Sequence, residues 1–215
     1  MIGVIFNSKY EFSEFLKFYN ISNEYLQEYP YGEYYQTKIN NKDIVFFRSG
    51  SKKVYAASSS QYMIDKFNLK KIICIGTCTQ INDDLDYNDI IIPEFISEYD
   101  LTIREIEPLI NENNIIELNI EDIDLDYFKG LLITSDKALV TNRDLQMVKE
   151  TNALAADTES AAIAKVCMAN KVKFICIKGV SDRPMNNYDE QIEVYEENAK
   201  NVIKNILQNY LMELI

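Results

Sequence analysis

Four acidic residues stand shortly after predicted β-strands, where their carboxyl groups could take part in acid–base chemistry. Glu11 follows Ile2–Phe6, Asp157 and Glu159 follow Ala153–Ala156, and Asp182 follows Val172–Val180. In open α/β sheets, ligands bind beyond the carboxyl ends of the strands. Carboxyl groups there could transfer protons or accept hydrogen bonds from a polar ligand. Their spacing alone does not identify a reaction.

The sequence contains no histidine, which narrows the possible chemistry. Histidine-based triads, histidine-ligated metal sites and imidazole proton transfer are excluded. Any proton transfer must use carboxylates, Lys, Tyr or Cys. The 34 acidic and 22 basic residues give a net charge of −12, which is the wrong sign for binding nucleic acid through its phosphates. We therefore expect no nucleic-acid partner.

Each carboxylate also has an ordinary structural explanation. Asp157 could cap the Ala-rich helix that follows it, and Glu159 would suit the dipole in the first turn of that helix. Asp182 could form an Asx-turn ahead of Pro184. Glu11 could lie on a solvated helix face, since most carboxylates are on protein surfaces.

Apolar runs alternate with helical spacings along the chain, a pattern that indicates an α/β fold. Strands are predicted at Ile2–Phe6, Tyr34–Ile39, Ile44–Phe47, Lys71–Gly76, Ile90–Ile92, Leu131–Thr134, Ala153–Ala156 and Val172–Val180. Helices are predicted at Lys9–Tyr19, Lys53–Phe67, Asn142–Glu150, Glu159–Ala169 and Asp189–Leu214. An early hairpin argues against a purely parallel sheet. Since the composition does not change along the chain, we expect residues 1–215 to form one domain.

The four cysteines lie in apolar stretches and form no Cys-x-x-Cys pair; they are Cys74, Cys78, Cys167 and Cys176. This pattern predicts reduced core thiols in a cytosolic protein rather than disulfides or a metal site. No apolar run is long enough to span a bilayer, and the N-terminal run lacks the basic start of a signal peptide. We expect a cytoplasmic protein without a membrane partner.

Motifs spread over most of the chain resemble those of one family. They are Asp157–Ala164 (DTESAAIA), Phe174–Asp182 (FICIKGVSD), Arg48-Ser49-Gly50, Ile75-Gly76-Thr77, and Thr134-Ser135-Asp136. In this order, they resemble the nucleoside phosphorylase/nucleosidase superfamily. The N-terminal Ile-Gly-Val-Ile, followed by Glu11, is similar to its 5′-methylthioadenosine/S-adenosylhomocysteine nucleosidase branch. The resemblance implies a three-layer α/β/α sandwich around a mixed central sheet, which acts without metal or cofactor.

The resemblance also implies roles for individual residues. Asp182 would be the general acid that protonates the purine, with Ser181 orienting it. Glu11 would activate the attacking water. Glu159 would accept hydrogen bonds from the two ribose hydroxyls. Tyr188 would cover the ribose end, although a core tyrosine is an equally good interpretation of the sequence. A homodimer and a small nucleoside substrate are the implied partners.

The choice between water and phosphate as the attacking group is predicted from Cys74. Phosphorolytic relatives carry an arginine at this position to hold phosphate, and a thiol cannot replace it. Water is therefore the favoured nucleophile, with a phosphate-dependent phosphorylase as the alternative. Arg48 and Arg183 could contact an anion, but surface or ion-pair roles are favoured for both.

Several positions that would contact the substrate depart from the family pattern. The Gly-rich turn of the family is here Thr77–Gln80, and its adenine-stacking aromatic is Ala138, followed by Leu139. The methionine under the ribose is Thr158. Because these residues differ, the sequence does not predict which base or which 5′ group the substrate carries. A non-catalytic nucleoside- or nucleotide-binding protein is a second alternative function. The retention of Glu11, Glu159 and Asp182 argues against mere binding.

Overall fold

The computed structural model describes residues 1–100, 115–120 and 124–215, which form a mixed sheet flanked by helices. The strands in these residues are β1 (Ile2–Phe6), β2 (Gln27–Tyr29), β3 (Gly32–Ile39), β4 (Lys42–Arg48), β5 (Lys71–Gln80), β6 (Ile90–Ile91), β7 (Phe95–Glu98), β8 (Ile115–Glu117), β9 (Leu131–Thr134), β10 (Ala155–Asp157) and β11 (Lys173–Asp182). The helices are α1 (Lys9–Phe18), α2 (Lys53–Phe67), α3 (Asn142–Lys149), α4 (Ser160–Ala169), α5 (Tyr188–Asn205) and α6 (Leu211–Leu214), with a π-helical turn at Ile206–Tyr210 between the last two.

The strands of the sheet run in the order β2-β3-β4-β1-β5-β10-β9-β7-β8, with β11 and then β6 branching from β5. The central strands β4, β1, β5 and β11 are parallel to one another. β3 and β4 form the predicted antiparallel hairpin. β10 pairs antiparallel with the end of β5 and parallel with β9. The parallel core therefore brings the carboxyl ends of β1, β5 and β11 to one edge.

Helices cover both faces of the sheet, which gives the three layers. One face packs against α1, α5 and α6 through residues that include Phe12, Phe15 and Val202. The other packs against α2 and α4, where Met63 and Ile163 are fully buried. β1 and β5 are apolar throughout most of their length because they are buried on both faces. The predicted α/β/α sandwich with a mixed sheet is confirmed.

Most predicted elements exist, and the main differences are in length and in the acidic middle of the chain. β5 continues four residues beyond Gly76, because its end has a second partner in β10. β2, β7 and β8 are short strands without a clear alternating pattern, and the prediction missed them. All four cysteines are buried free thiols. No helix in the described residues has the length and apolar character needed to cross a bilayer.

Candidate active site

The carboxyl ends of the central strands open into a cavity of about 410 Å³. Its wall combines residues after β1, at the ends of β5, β10 and β11, and on α5. Five acidic residues line it: Glu11, Asp157, Glu159, Asp182 and Glu196. None of the described residues that line it is Lys or Arg. The four carboxylates that follow predicted strands therefore meet at one site. β1 and β11 are parallel to β5 and bring Glu11 and Asp182 to one edge. β10 instead runs antiparallel along the end of β5 and brings Asp157 and Glu159 back towards that edge.

Glu11 is held rigidly at the start of α1. Ser8 caps this helix in a capping box, in which the Glu11 N–H donates to Ser8 Oγ (3.0 Å) while Glu11 Oε2 accepts from Ser8 N (3.0 Å) and Asn7 N (3.2 Å). The other oxygen, Oε1, accepts from the backbone N–H (2.9 Å) and the hydroxyl (3.1 Å) of Thr77. Glu11 is 3% exposed. The solvated-face interpretation is wrong, because the carboxylate caps its own helix and also joins it to β5.

Asp182 lies at the end of β11, beside a register shift between Val180 and Asp182. Such a bulge redirects the side chains that follow it. Its Oδ1 accepts from Ser181 Oγ (2.7 Å), and its Oδ2 accepts from Thr79 Oγ1 (3.0 Å) and Gln191 Nε2 (2.6 Å). Burial raises the pKa of this carboxyl, while the three hydrogen bonds oppose the rise. These contacts, rather than an Asx-turn, fix its position.

Glu159 stands at the N-cap position of α4, but its side chain makes no capping hydrogen bond to that helix. Its Oε1 accepts from the Lys52 backbone N–H (3.1 Å) and from the Thr158 hydroxyl. Burial raises the pKa of Glu159 to about 7; the charge of Lys178 opposes this rise, and the charge of Asp157 adds to it. The carboxyl group is thus committed to the cavity rather than to the helix.

Asp157 has the structural role that the sequence allowed, and a second role that it did not indicate. It caps α4 by accepting from the Ser160 N–H (3.2 Å) and from the Glu159 N–H (3.3 Å). It also forms an ion pair with Lys178, in which Nζ lies 3.0 Å from Oδ2 and both side chains are 2% exposed or less. Removing one partner of a buried ion pair strongly destabilises the folded protein, because the other charge is left buried and uncompensated. Asp157 thus holds the ammonium group of Lys178 in a fixed position, from which its charge also acts on Glu159.

Gly76 makes the close approach of these groups possible. A Cβ at this position would lie 2.9 Å from Glu11 Oε1 and 3.0 Å from Lys178 Nζ. Any side chain here would displace one of the two groups. The glycine that ends the predicted strand therefore brings the ammonium group of Lys178 close to the Glu11 carboxylate.

Seven of the nine predicted site residues line the cavity: Glu11, Thr77, Ala138, Thr158, Glu159, Asp182 and Tyr188. Tyr188 is 59% exposed at the mouth, so the alternative of a core tyrosine is wrong. Ser181 is fully buried and does not line the cavity, but its hydroxyl donates to Asp182 Oδ1. Leu139 does not line the cavity, because its side chain packs in a hydrophobic cluster with Ile81 and Val148. Its carbonyl oxygen instead accepts from Gln191 (2.9 Å).

Apart from Tyr188, the contributions of α5 to the site were not predicted from the sequence, and neither was that of Lys178. Gln191, Ile192 and Tyr195 line the cavity from α5, whose start is capped by Asn187 through the N–H groups of its first turn. Their helical pattern resembles that of any amphipathic helix, so no local signal marks them. Lys178 did carry a signal, since it is a charged residue between the apolar stretches Phe174–Ile177 and Gly179–Val180 of β11.

The two arginines that could contact an anion both lie away from the cavity. Arg48 pairs with Glu33, with Nη2 2.7 Å from Oε2. Arg183 is exposed, and its guanidinium group lies 5.8 Å from the centre of the Tyr87 ring. Cys74 is fully buried and accepts a hydrogen bond from the Asn7 amide (3.5 Å). None of the three lines the cavity.

Comparisons with known proteins agree with this geometry. The family model of the phosphorylase superfamily matches residues 1–211. A 5′-methylthioadenosine/S-adenosylhomocysteine nucleosidase from Buchnera aphidicola is 28% identical over 197 residues, which are 82% of this chain and 85% of that protein. A solved candidate 5′-methylthioadenosine/S-adenosylhomocysteine nucleosidase from Borrelia burgdorferi, bound to adenine, is 27% identical, with a TM-score of 0.80 over 100% of both chains. Futalosine hydrolase from Helicobacter pylori has the same fold at 18% identity, with a TM-score of 0.80 over 94% of this chain and 92% of that one.

The chain belongs to the phosphorylase superfamily, because the family model spans nearly its full length. The resemblance found in its motifs is thereby confirmed. The predicted class of enzyme, a nucleosidase, is confirmed by relatives of that activity that match over most of their length.

Proposed function

We propose that this protein hydrolyses the N-glycosidic bond of a purine nucleoside, with 5′-methylthioadenosine and S-adenosylhomocysteine as the nearest named substrates. The observation that carries the proposal is the meeting of three buried carboxyl groups, those of Glu11, Glu159 and Asp182, around one cavity. The nucleosidase relatives and the adenine held by the Borrelia burgdorferi protein support the choice of substrate. We further propose that residues 1–215 act as one domain in a cytoplasmic homodimer.

The reaction needs two carboxyl groups in different protonation states. When the bond between the sugar C1′ and the base breaks, its electron pair moves onto the base and positive, oxocarbenium-like charge develops on the ribose. Asp182 gives its proton to the base at N7. Burial favours its protonated form by raising its pKa. Water then adds to C1′ and loses a proton to Glu11.

Glu11 is suited to act on water because it is oriented before the reaction begins. The Glu11 carboxylate accepts four hydrogen bonds, and three of them come from backbone N–H groups, which cannot reorient. The fourth comes from the Thr77 hydroxyl, which can rotate and leave one acceptor site on Oε1 for the water. The fixed carboxylate also places negative charge near the developing positive charge of the ribose.

Glu159 supplies the acceptor oxygens for the ribose hydroxyls. Above pH 7, where Glu159 is mainly ionised, Glu159→Gln is expected to lower kcat/KM for a ribonucleoside by about tenfold to a hundredfold, because a hydrogen bond to a charged group contributes about 1.5–3 kcal/mol. The corresponding 2′-deoxyribonucleoside should lose much less. Steady-state kinetics on the two sugars measure the difference, with Glu193→Gln on the exposed surface of α5 as the control. Equal losses on both sugars would contradict this role.

Water is the proposed nucleophile because the cavity offers no cationic lining for phosphate. Arg and Lys are the side chains that bind phosphate through their charge, and none of the described lining residues is Lys or Arg. Lys178 is buried behind the wall and is paired with Asp157. The phosphorylase alternative would therefore require phosphate to enter a site lined by five acidic residues.

The part of the cavity that would hold the base departs from the pattern of the family. Ala138 offers no ring for stacking on the base, and the aromatic residues among the described lining residues are Tyr188 and Tyr195, both on α5. Futalosine hydrolase shares the fold with a different substrate, so the fold alone does not select the nucleoside. The 5′ group and the base therefore need a direct test.

We expect release of free base from at least one purine nucleoside at a rate that does not depend on phosphate. The measurement is base release from a panel that includes methylthioadenosine, adenosylhomocysteine, adenosine, inosine and futalosine, each with and without phosphate. Release only with phosphate, and ribose 1-phosphate as product, would establish the phosphorylase alternative. Binding without release from any member would favour a binding protein.

A further inference from the structure

Gln191 of α5 makes the shortest hydrogen bond to the carboxyl group of Asp182. Its Nε2 lies 2.6 Å from Asp182 Oδ2, and the second hydrogen on the same nitrogen is directed to the carbonyl oxygen of Leu139 at 2.9 Å. The residue is 7% exposed. Through these two hydrogen bonds, Gln191 links three segments of the chain: the end of β11, the loop after β9, and the first turns of α5.

The orientation of this amide is fixed by its two partners. A carbonyl oxygen can only accept hydrogen bonds, and so can an ionised carboxylate, so the NH₂ group must face both. The amide oxygen Oε1 is left buried without a partner. Turning the amide over would place Oε1 against the Leu139 carbonyl oxygen. The chain thus accepts one unsatisfied oxygen in order to present a permanent donor to Asp182.

The two oxygens of Asp182 consequently differ in what they can do. Oδ2 accepts from Gln191 and from the Thr79 hydroxyl, and the amide N–H cannot reverse its direction. Oδ1 accepts from the hydroxyl of Ser181, which also lies 3.3 Å from the Cys78 carbonyl oxygen. That hydroxyl can donate to an ionised Oδ1. It can also accept from a protonated Oδ1 while donating to Cys78.

We propose that Gln191 is a positioning residue that confines the acidic proton of Asp182 to Oδ1. The inference rests on the proposed role of Asp182 as the general acid. Because Oδ2 is held as an acceptor, the proton can be bound only to Oδ1. The carboxyl group also cannot rotate without losing the hydrogen bond from Gln191. The proton that passes to the base then leaves one fixed oxygen. The hydroxyl of Ser181, which accepts from this proton before transfer, can turn to donate to the ionised Oδ1 that remains.

The test compares Gln191→Leu on two substrates that differ in their need for an acid. We expect kcat/KM for the purine nucleoside to fall by about tenfold, a part of the 10²–10⁴-fold that a general acid supplies. A nitrophenyl riboside should lose little, because nitrophenolate leaves without protonation. The fall of kcat/KM at high pH, the basic limb of the pH profile for the purine nucleoside, should also move to higher pH. The reason is that the Asp182 carboxylate loses a hydrogen-bond donor, which raises its pKa.

Two controls separate a positioning role from a structural one. Gln208→Leu makes the same chemical change at an exposed position of the π-helical turn and should leave both rates unchanged. Thermal unfolding checks that Gln191→Leu is folded; if it is not, Gln191→Met offers a side chain of similar length. Equal losses on both substrates, or a basic limb that does not move, would overturn the inference.

Measuring Asp182→Asn beside these variants separates the inference from the proposed function. If Asp182→Asn retains purine turnover, the acid role itself fails, and the inference fails with it. If Asp182→Asn is inactive while Gln191→Leu has the rate and pH profile of the unmodified protein, the acid role stands and only the role of Gln191 is rejected. Where the riboside is not turned over, the pH limb decides.

Discussion

Replacing Asp182 by Asn is expected to lower purine nucleoside turnover by about 10²–10⁴-fold, the contribution of a general acid, while ligand binding stays largely intact. Asn fits the same space and can keep its oxygen towards Gln191 and Thr79, since both are donors. Its NH₂ group then faces the Ser181 hydroxyl, which can accept. The variant therefore keeps the shape of the site and loses only the transferable proton.

The measurement is kcat together with the Kd of a bound purine. Asp189→Asn, an exposed residue in the first turn of α5, is the matched control and should behave like the unmodified protein. Near-normal turnover by Asp182→Asn would show that another group protonates the base. A large loss of binding with unchanged kcat would instead make Asp182 a recognition residue.

Replacing Glu11 by Gln is expected to reduce kcat by a similar factor, about 10²–10⁴-fold, and also to destabilise the fold. Both oxygens of Glu11 face backbone N–H groups, two on Oε2 and one on Oε1. The NH₂ group of Gln must therefore point at a donor in either orientation. Leaving such a buried group unsatisfied costs about 1–3 kcal/mol, which lowers Tm by several degrees in a protein of this size.

Saturating kinetics and thermal unfolding check both parts of this prediction, with the exposed Glu24→Gln as control. The contrast with Asp182→Asn is itself informative, because that change should alter Tm much less. A Glu11→Gln variant that keeps normal kcat but has a lowered Tm would make Glu11 a structural cap only. Normal values of both would contradict the geometry around this carboxylate.

The sequence predicted the sheet well where residues are buried on both faces. β1, β9 and the first half of β5 are mostly apolar, and they form strands within the predicted bounds. The ends of β5 and β11 could not be predicted, because polar residues such as Thr79 become strand only through partners distant in sequence. β7, in the acidic stretch, was not predicted for the same reason, because its partner β9 is also distant in sequence.

The candidate site was predictable to the extent that it is built from strand ends. Glu11 and Asp182 follow strands that are parallel to β5, and the carboxyl ends of parallel strands share an edge, so their convergence could be predicted from the sequence. Glu159 was grouped with them because it also follows a strand, but it reaches the site through β10, which runs antiparallel to the end of β5. Gln191 could not be predicted, since its contact with Asp182 depends on how α5 packs against β11. Capping and chemistry also overlap in Glu11, where one carboxylate performs both tasks, and a local pattern cannot separate them.

The most direct test of the central claim is to follow the oxygen that ends on the sugar. The purine nucleoside that the panel identifies as substrate is turned over in heavy-oxygen water with phosphate present, and the sugar product is analysed by mass spectrometry at early times. The proposed hydrolysis predicts free sugar that carries one heavy oxygen from water. Sugar 1-phosphate without the label would contradict it and assign the attack on C1′ to phosphate.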